Sequence, residues 1–206
     1  MIGVIDYKVG NAPSVLNALS KINVAAKLVS HPEELRDLSG LILPGVGSAP
    51  AAMASLVELG FVPALEQLVF DQKLPFLGIC VGMQVLFEHS EEGNTPCLGW
   101  IPGKVKRFPE SVRVPQIGWN RLKFRGNHRL TEGIPEPAYF YFVNSFYVEP
   151  ASDQVTIGTA EHGIDFCALA ASDNIYAAQF HIEKSGAVGL AMLKNFAAIV
   201  GDAHVD

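Results

Sequence analysis

Basic charge is in short supply. Lys and Arg number 15 against 21 Asp and Glu, a net charge of −6 over 206 residues, which gives no positive field for nucleic acid or an anionic membrane. Cysteine is scarce too. Cys80, Cys97 and Cys167 are an odd number with no C-x-x-C spacing, which argues against a disulfide framework and a zinc site and suits a reducing cytoplasm. The first residues, "MIGVIDYK", lack a basic region and carry Asp6 where a secretory leader would be apolar. Charged residues make up 17% and hydrophobic ones 49%, so a sizeable core is expected and general disorder is not. One uncharged run, residues 38–57, approaches the length of a membrane span. Pro44, Pro50, Gly40, Gly45 and Gly47 would break a lipid-exposed helix there. It reads as strand, glycine loop, then helix, in a chain that stays out of the membrane.

No internal repeat, low-complexity segment or long linker divides the chain, so residues 1–206 read as one α/β domain. Strands are expected at residues 2–6, 26–29, 41–43 and 74–79. Helices are expected from Ser14 as N-cap, at 51–59 and 63–72, and from Val81 to Phe87, with a helical turn at 32–38. Such alternation implies a parallel sheet covered on both faces, with functional groups at the carboxyl ends of its strands. Asp6, Gly45 and Cys80 all fall there. From about Gly99 the pattern changes. "GKVKRF", "RVPQIGWNRLKF", "AYFYFVNSFYV" and "FCALAASDNIYAAQF" read as short strands, with a hairpin at 172–174, before an amphipathic helix over 185–200.

Within "PFLGICVGMQ", residues 75–84, an apolar strand gives way to helical spacing at Met83, Leu86 and Phe87. Cys80 stands at the junction, with Gly78 and Gly82 two residues to either side. That is the layout of a nucleophile elbow, G-x-C-x-G in place of the serine version. Taken alone, the ten residues equally describe a small buried cysteine between two packing glycines.

A thiol nucleophile needs a base, and the base an orienter. Of His31, His89, His128, His162, His181 and His204, the candidate is His181, which follows an apolar strand and has a carboxylate two residues on, in "QFHIEKSG". In an extended segment His181 and Glu183 would share one side while Ile182 faces inward. His89 is the rival, expected at the end of the helix that Cys80 starts, roughly 13 Å along it. The helix dipole alone would favour a histidine there.

Together these pieces resemble the class I glutamine amidotransferase family over essentially the full chain. "PFLGICVGMQ" matches its nucleophile motif, "ILPGVG" its oxyanion loop and "QFHIEKS" its F-H-P-E-K-S segment. Within the family, "DYKVGN", "SEEG…LGWIPG", "VPQIGWN" and "YFVNSF" look most like the glutaminase subunits of imidazole glycerol phosphate synthases. The resemblance implies a flavodoxin-like, three-layer fold with a mostly parallel central sheet and an additional antiparallel portion. It implies a Cys80–His181–Glu183 triad that hydrolyses glutamine through a cysteinyl thioester, without cofactor or metal. An oxyanion hole would draw on Val81 and on Gly45 and Val46 of the "PGVG" loop. Gln84, Glu92, Asn144 and Ser145 would hold glutamine. Read without the family, Gln84 and Glu92 are ordinary solvated polar residues, and "PGVG" is a strand-to-helix turn.

The family's ammonia passes to a separate (β/α)₈ synthase subunit, which makes imidazole glycerol phosphate and AICAR in histidine biosynthesis. This implies a heterodimer, with Asn11, Trp119 and Lys184 at or near the interface. Lys8 replaces the usual glycine, Gln116 and Asn144 the usual histidines, Phe146 a tyrosine and Ile182 a proline. None is a triad member. These departures also suit a paralogue that feeds a synthase amidating surface sugars. A non-catalytic stabilising subunit and a thiol stress sensor on a similar sheet are the readings from other classes. The glycines flanking Val46 further suggest a peptide that turns its N–H toward Cys80 only when the partner binds.

Overall fold

The computed structural model describes residues 1–203, so His204 lies outside the described residues. In chain order the main elements are β1 (Ile2–Ile5), α1 (Ala12–Lys21), β2 (Ala26–Val29), β3 (Gly40–Gly45), α2 (Ala49–Glu58) and α3 (Phe61–Glu66). Next come β4 (Phe76–Cys80), α4 (Val81–Gln84), β5 (His89–Ser90), β6 (Thr95–Pro96), β7 (Gly103–Arg107), β8 (Gln116–Phe124) and β9 (Ala138–Asn144). The last are β10 (Phe146–Pro150), β11 (Thr156–Glu161), β12 (Asp165–Ser172), β13 (Ile175–Ala178) and α5 (Gly186–Asp202).

Among the described residues, five strands run parallel in the order β2-β1-β3-β4-β13. Their apolar runs explain the placement: β1, β3, β4 and β13 are buried throughout, as strands covered on both faces must be. α1 packs on α5, and α2 on α3 and α4. Beyond β13 the sheet becomes largely antiparallel, through β12, β10 and β7, with β11, β8 and β9 branching from β12. Residues 173–174 close the β12–β13 hairpin, with Asp173 at φ 54°. β3, β4 and β13 are neighbours, so their carboxyl ends bring Gly45, Cys80 and the residues after Ala178 to one edge.

Several expected boundaries move. α1 begins at Ala12 with Asn11 as N-cap, not at Ser14; Pro13 fits a helix's first turn because no intrahelical partner is needed there. The helical turn near residue 32 is a 3₁₀ turn, Pro32–Leu35, and α3 runs on into a π turn, Gln67–Asp71. α4 stops at Gln84 instead of reaching Phe87. Leu86 N and Phe87 N donate to Met83 O and Gln84 O, three residues back, so the chain leaves α4 in tight turns. β5, β6 and β11 were not expected. Among the described residues no single helix is long and apolar enough to cross a membrane. Ala49–Glu58 and Phe61–Asp71 meet that length and composition only as a pair bent by 88°.

Candidate active site

Cys80 ends β4 with φ 57° and ψ −113°, a left-handed backbone that costs a non-glycine residue about 1–3 kcal/mol. The surrounding packing holds it there. A Cβ on Gly82 would overlap the Leu43 carbonyl oxygen, and one on Gly45 would overlap Gly82 N and Val81. β3 and α4 therefore touch backbone to backbone, and Gly45 pairs in register with Cys80. Beyond it, Gly47 takes φ 87° while Val46 stands 36% exposed at the rim. The two glycines of the loop do different things: Gly45 provides space, Gly47 provides the turn.

His181 and Glu183 meet, but not on a strand. β13 ends at Ala178, and His181 is the N-cap of a 3₁₀ turn, Ile182–Lys184. The turn brings His181 Nδ1 to 2.9 Å from Glu183 Oε1, with both side chains buried. Ile182 is fully buried, as expected. Two bonds fix the histidine backbone: His181 N donates to Tyr141 O at 2.9 Å, and its carbonyl accepts from Ser185 Oγ at 2.6 Å. Burial alone would lower the His181 pKa. Hydrogen bonds to Cys80 and Glu183, and their charges, outweigh it and raise the pKa to about 9.

His89 is not a helix-end residue. It lies in β5 with Nε2 3.0 Å from Asn94 Oδ1. Among the described histidines, only His181 lines the cleft that holds Cys80.

That cleft encloses about 350 Å³. Val46, Gly47, Cys80 and Val81 form one wall, and Val143, Asn144, Ser145 and Phe146 the other. Gln84, Glu92 and Lys184 also line it. The size suits a small polar molecule. Gln84 and Glu92 are not simply solvated. Gln84 is 3% exposed and gives Nε2 to Phe146 O (3.2 Å) and Gln179 Oε1 (3.0 Å), leaving its own carbonyl as the group for a ligand. Glu92 Oε2 accepts from Ala49 N at 2.7 Å, which fixes the start of α2 behind the "PGVG" loop. Asn144 Nδ2 donates to Phe146 O at 3.0 Å.

The family model for "Glutamine amidotransferase class-I" matches residues 3–200. The chain belongs to the class I glutamine amidotransferase family. Among curated relatives, an "Imidazole glycerol phosphate synthase subunit HisH" of Dehalococcoides mccartyi is 48% identical, covering 95% of this chain and 96% of its own. One of Desulfitobacterium hafniense is also 48% identical, over 98% and 96%. A solved glutamine amidotransferase superposes with a TM-score of 0.78 at 22% identity over 97% and 98% of the two chains, which speaks for the fold.

Among the residues that the glutamine amidotransferase motifs point to, Cys80, Val81, Val46, Gln84, Glu92, Asn144, Ser145, His181 and Lys184 share one cleft. Asn11 and Trp119 lie outside it. Asn11 starts α1, which packs against the Ile182–Lys184 turn. Trp119 is 58% exposed on β8, its ring edge-on to Tyr141 with centroids 6.0 Å apart. The replacements Gln116 and Asn144 turn out to be cross-strand partners, each buried with a carbonyl oxygen lacking a hydrogen-bond partner among the described residues. Lys8 takes φ 68°, the region that explains why glycine is usual there. Sequence reasoning missed Gln179 and Ser185. Both are fully buried polar residues within the "QFHIEKS" segment, and that segment was the available signal.

Proposed function

We propose that this chain hydrolyses glutamine to glutamate and ammonia through a glutamyl thioester on Cys80. It acts as a single-domain, cytoplasmic glutaminase that supplies ammonia to a (β/α)₈ synthase subunit making imidazole glycerol phosphate and AICAR in histidine biosynthesis. The observation that carries this reading is the strained Cys80 elbow sharing a cleft with His181, whose Nδ1 is held by the buried Glu183 behind it. HisH relatives at 48% identity support the pathway.

Glu183 accepts from Nδ1 and leaves Nε2 of His181 facing the thiol. With its pKa raised to about 9, His181 holds the Cys80 proton near neutral pH, and the thiolate attacks the side-chain carbonyl carbon of glutamine. The negative oxygen is met by the Val81 N–H, which heads α4 without an intrahelical partner, and by a peptide at Val46. As the C–N bond breaks, His181 returns the proton to the leaving nitrogen and ammonia departs. Water, deprotonated by His181, then cleaves the thioester and frees glutamate. Gln84, Glu92, Asn144 and Ser145 hold the amino-acid end of the substrate.

The outer face of β8 and β9 supports a heterodimer. Ile117, Trp119, Tyr139 and Val143 are exposed there, an apolar patch at the mouth of the cleft of the kind that marks a partner site. Trp119 touches Tyr141, whose carbonyl holds His181, so a synthase seated on this patch with Asn11 and Lys184 would press directly on the triad's support. The paired change at Gln116 and Asn144 is the observation that favours the second reading, a synthase amidating a surface sugar. Copurification with a coexpressed (β/α)₈ synthase subunit of either kind tests both, followed by assay of glutamate release with each acceptor. Release driven by the imidazole precursor is expected; release driven only by a sugar acceptor would establish the second reading.

A further inference from the structure

Gln179 lies between the thiol and the glutamine-binding wall, outside the triad. It is fully buried, its N–H held by Ala168 O at 2.9 Å. Its side-chain Nε2 points at Cys80 Sγ, 3.8 Å away, and its Oε1 accepts from Gln84 Nε2 at 3.0 Å. Gln84 is itself held by Phe146 O, which also takes Asn144 Nδ2. One chain of amides thus runs from the sulfur to the loop expected to bind glutamine. An amide oxygen engaged by Gln84 fixes the carboxamide so that its N–H₂ end faces sulfur.

We infer that Gln179 is an additional catalytic group, a neutral hydrogen-bond donor that stabilises the Cys80 thiolate, with Gln84 as its positioning residue. A donor bonds a charged sulfur more strongly than a protonated one. Gln179 neither gives nor takes a proton; the thiol proton still goes to His181. This inference rests on Cys80 being the nucleophile of the proposed glutaminase.

The ionisable groups around the sulfur are His181 and Glu183 from the turn after β13, Lys184 beside them, Glu92 in the same cleft, and Tyr7 after β1. None is altered in the test. The reduced full-length chain is treated with iodoacetamide across a pH series, and modification of the Cys80 peptide is followed. Burial pushes the Cys97 and Cys167 thiols up to about 11, so they react little near neutrality. Gln179→Met removes the donor at similar length. Gln179→Glu keeps an acceptor for Gln84 but turns a carboxylate toward sulfur. The half-reaction pH is expected to rise by about one unit in Gln179→Met, the size of one hydrogen bond to a charged group, and further in Gln179→Glu. In complex with the synthase, kcat for glutamate release should fall about tenfold, with KM within about twofold.

An unchanged half-reaction pH in a folded variant overturns the inference. If neither Gln179 variant folds, Gln84→Met decides: a smaller rise supports it and no rise overturns it. Alkylation needs neither glutamine nor synthase, so a chain that releases no glutamate defeats the proposed function while leaving this result readable.

Discussion

In the parallel half of the sheet, β1, β3, β4 and β13 are buried along their whole length, whereas β7 and β9 alternate buried residues with half-exposed or exposed ones and β8 is buried only at Gln116 and Leu122. The parallel half fixes its reactive groups by backbone contact, as where Gly82 lies on Leu43. The antiparallel half contributes carbonyls and amides to the facing wall and carries the exposed apolar patch proposed above for the partner. Chemistry is thus rigid on one side of the cleft, and recognition accessible on the other.

The largest expected effect breaks this comparison at the elbow. Cys80→Ala should abolish glutamine-dependent turnover of the complex, while turnover with added ammonium salts persists. Loss of both activities would make Cys80 structural. His181→Asn comes next. It should cost orders of magnitude in thioester formation, because neither the thiol nor the leaving amine has a proton partner. Glu183→Gln should be milder. The two can be compared with His89→Asn, which should leave the rate near wild type.

Gly82→Ala asks whether the parallel side admits any Cβ. Destabilisation above about 2 kcal/mol by chemical denaturation is expected. Trp119→Ala, on the other side, should leave stability within about 0.5 kcal/mol yet weaken synthase binding about tenfold or more. If both changes acted alike on stability, the contrast between the two halves would fail. The smallest effect is expected at Lys8. Lys8→Gly should stabilise by up to about 1 kcal/mol, since glycine takes the observed φ without strain.

A pH titration sharpens the triad itself. Because the His181 pKa is raised to about 9, above its unfolded value, the stability it contributes is fully present below about pH 6.5 and is lost as pH rises through about 9. The imidazole resonance should titrate near 9 and move down in Cys80→Ala, which removes one of the bonds holding the charge.

The same division explains what was legible in the sequence. Strand Gly40–Gly45 and the elbow at Cys80 are legible because their apolar runs are punctuated by glycines. α4 is shorter than the spacing predicts, since Leu86 and Phe87 record burial and not helix: their N–H groups bond only three residues back. The pairing of His181 with Glu183 was legible from motif spacing, but the 3₁₀ turn that achieves it was not. β11 carries little alternation because Thr156–Ala160 are all buried. Gln179 gave no signal of its own: its neighbours Gln84 and Cys80 are brought to it only by tertiary packing.

The most direct test is an acid quench of the complex during turnover of glutamine, followed by peptide mapping. The proposed chemistry predicts a glutamyl adduct confined to the peptide that carries Cys80 and absent from Cys80→Ala. Glutamate release with no adduct, or an adduct on Cys97 or Cys167, would contradict it.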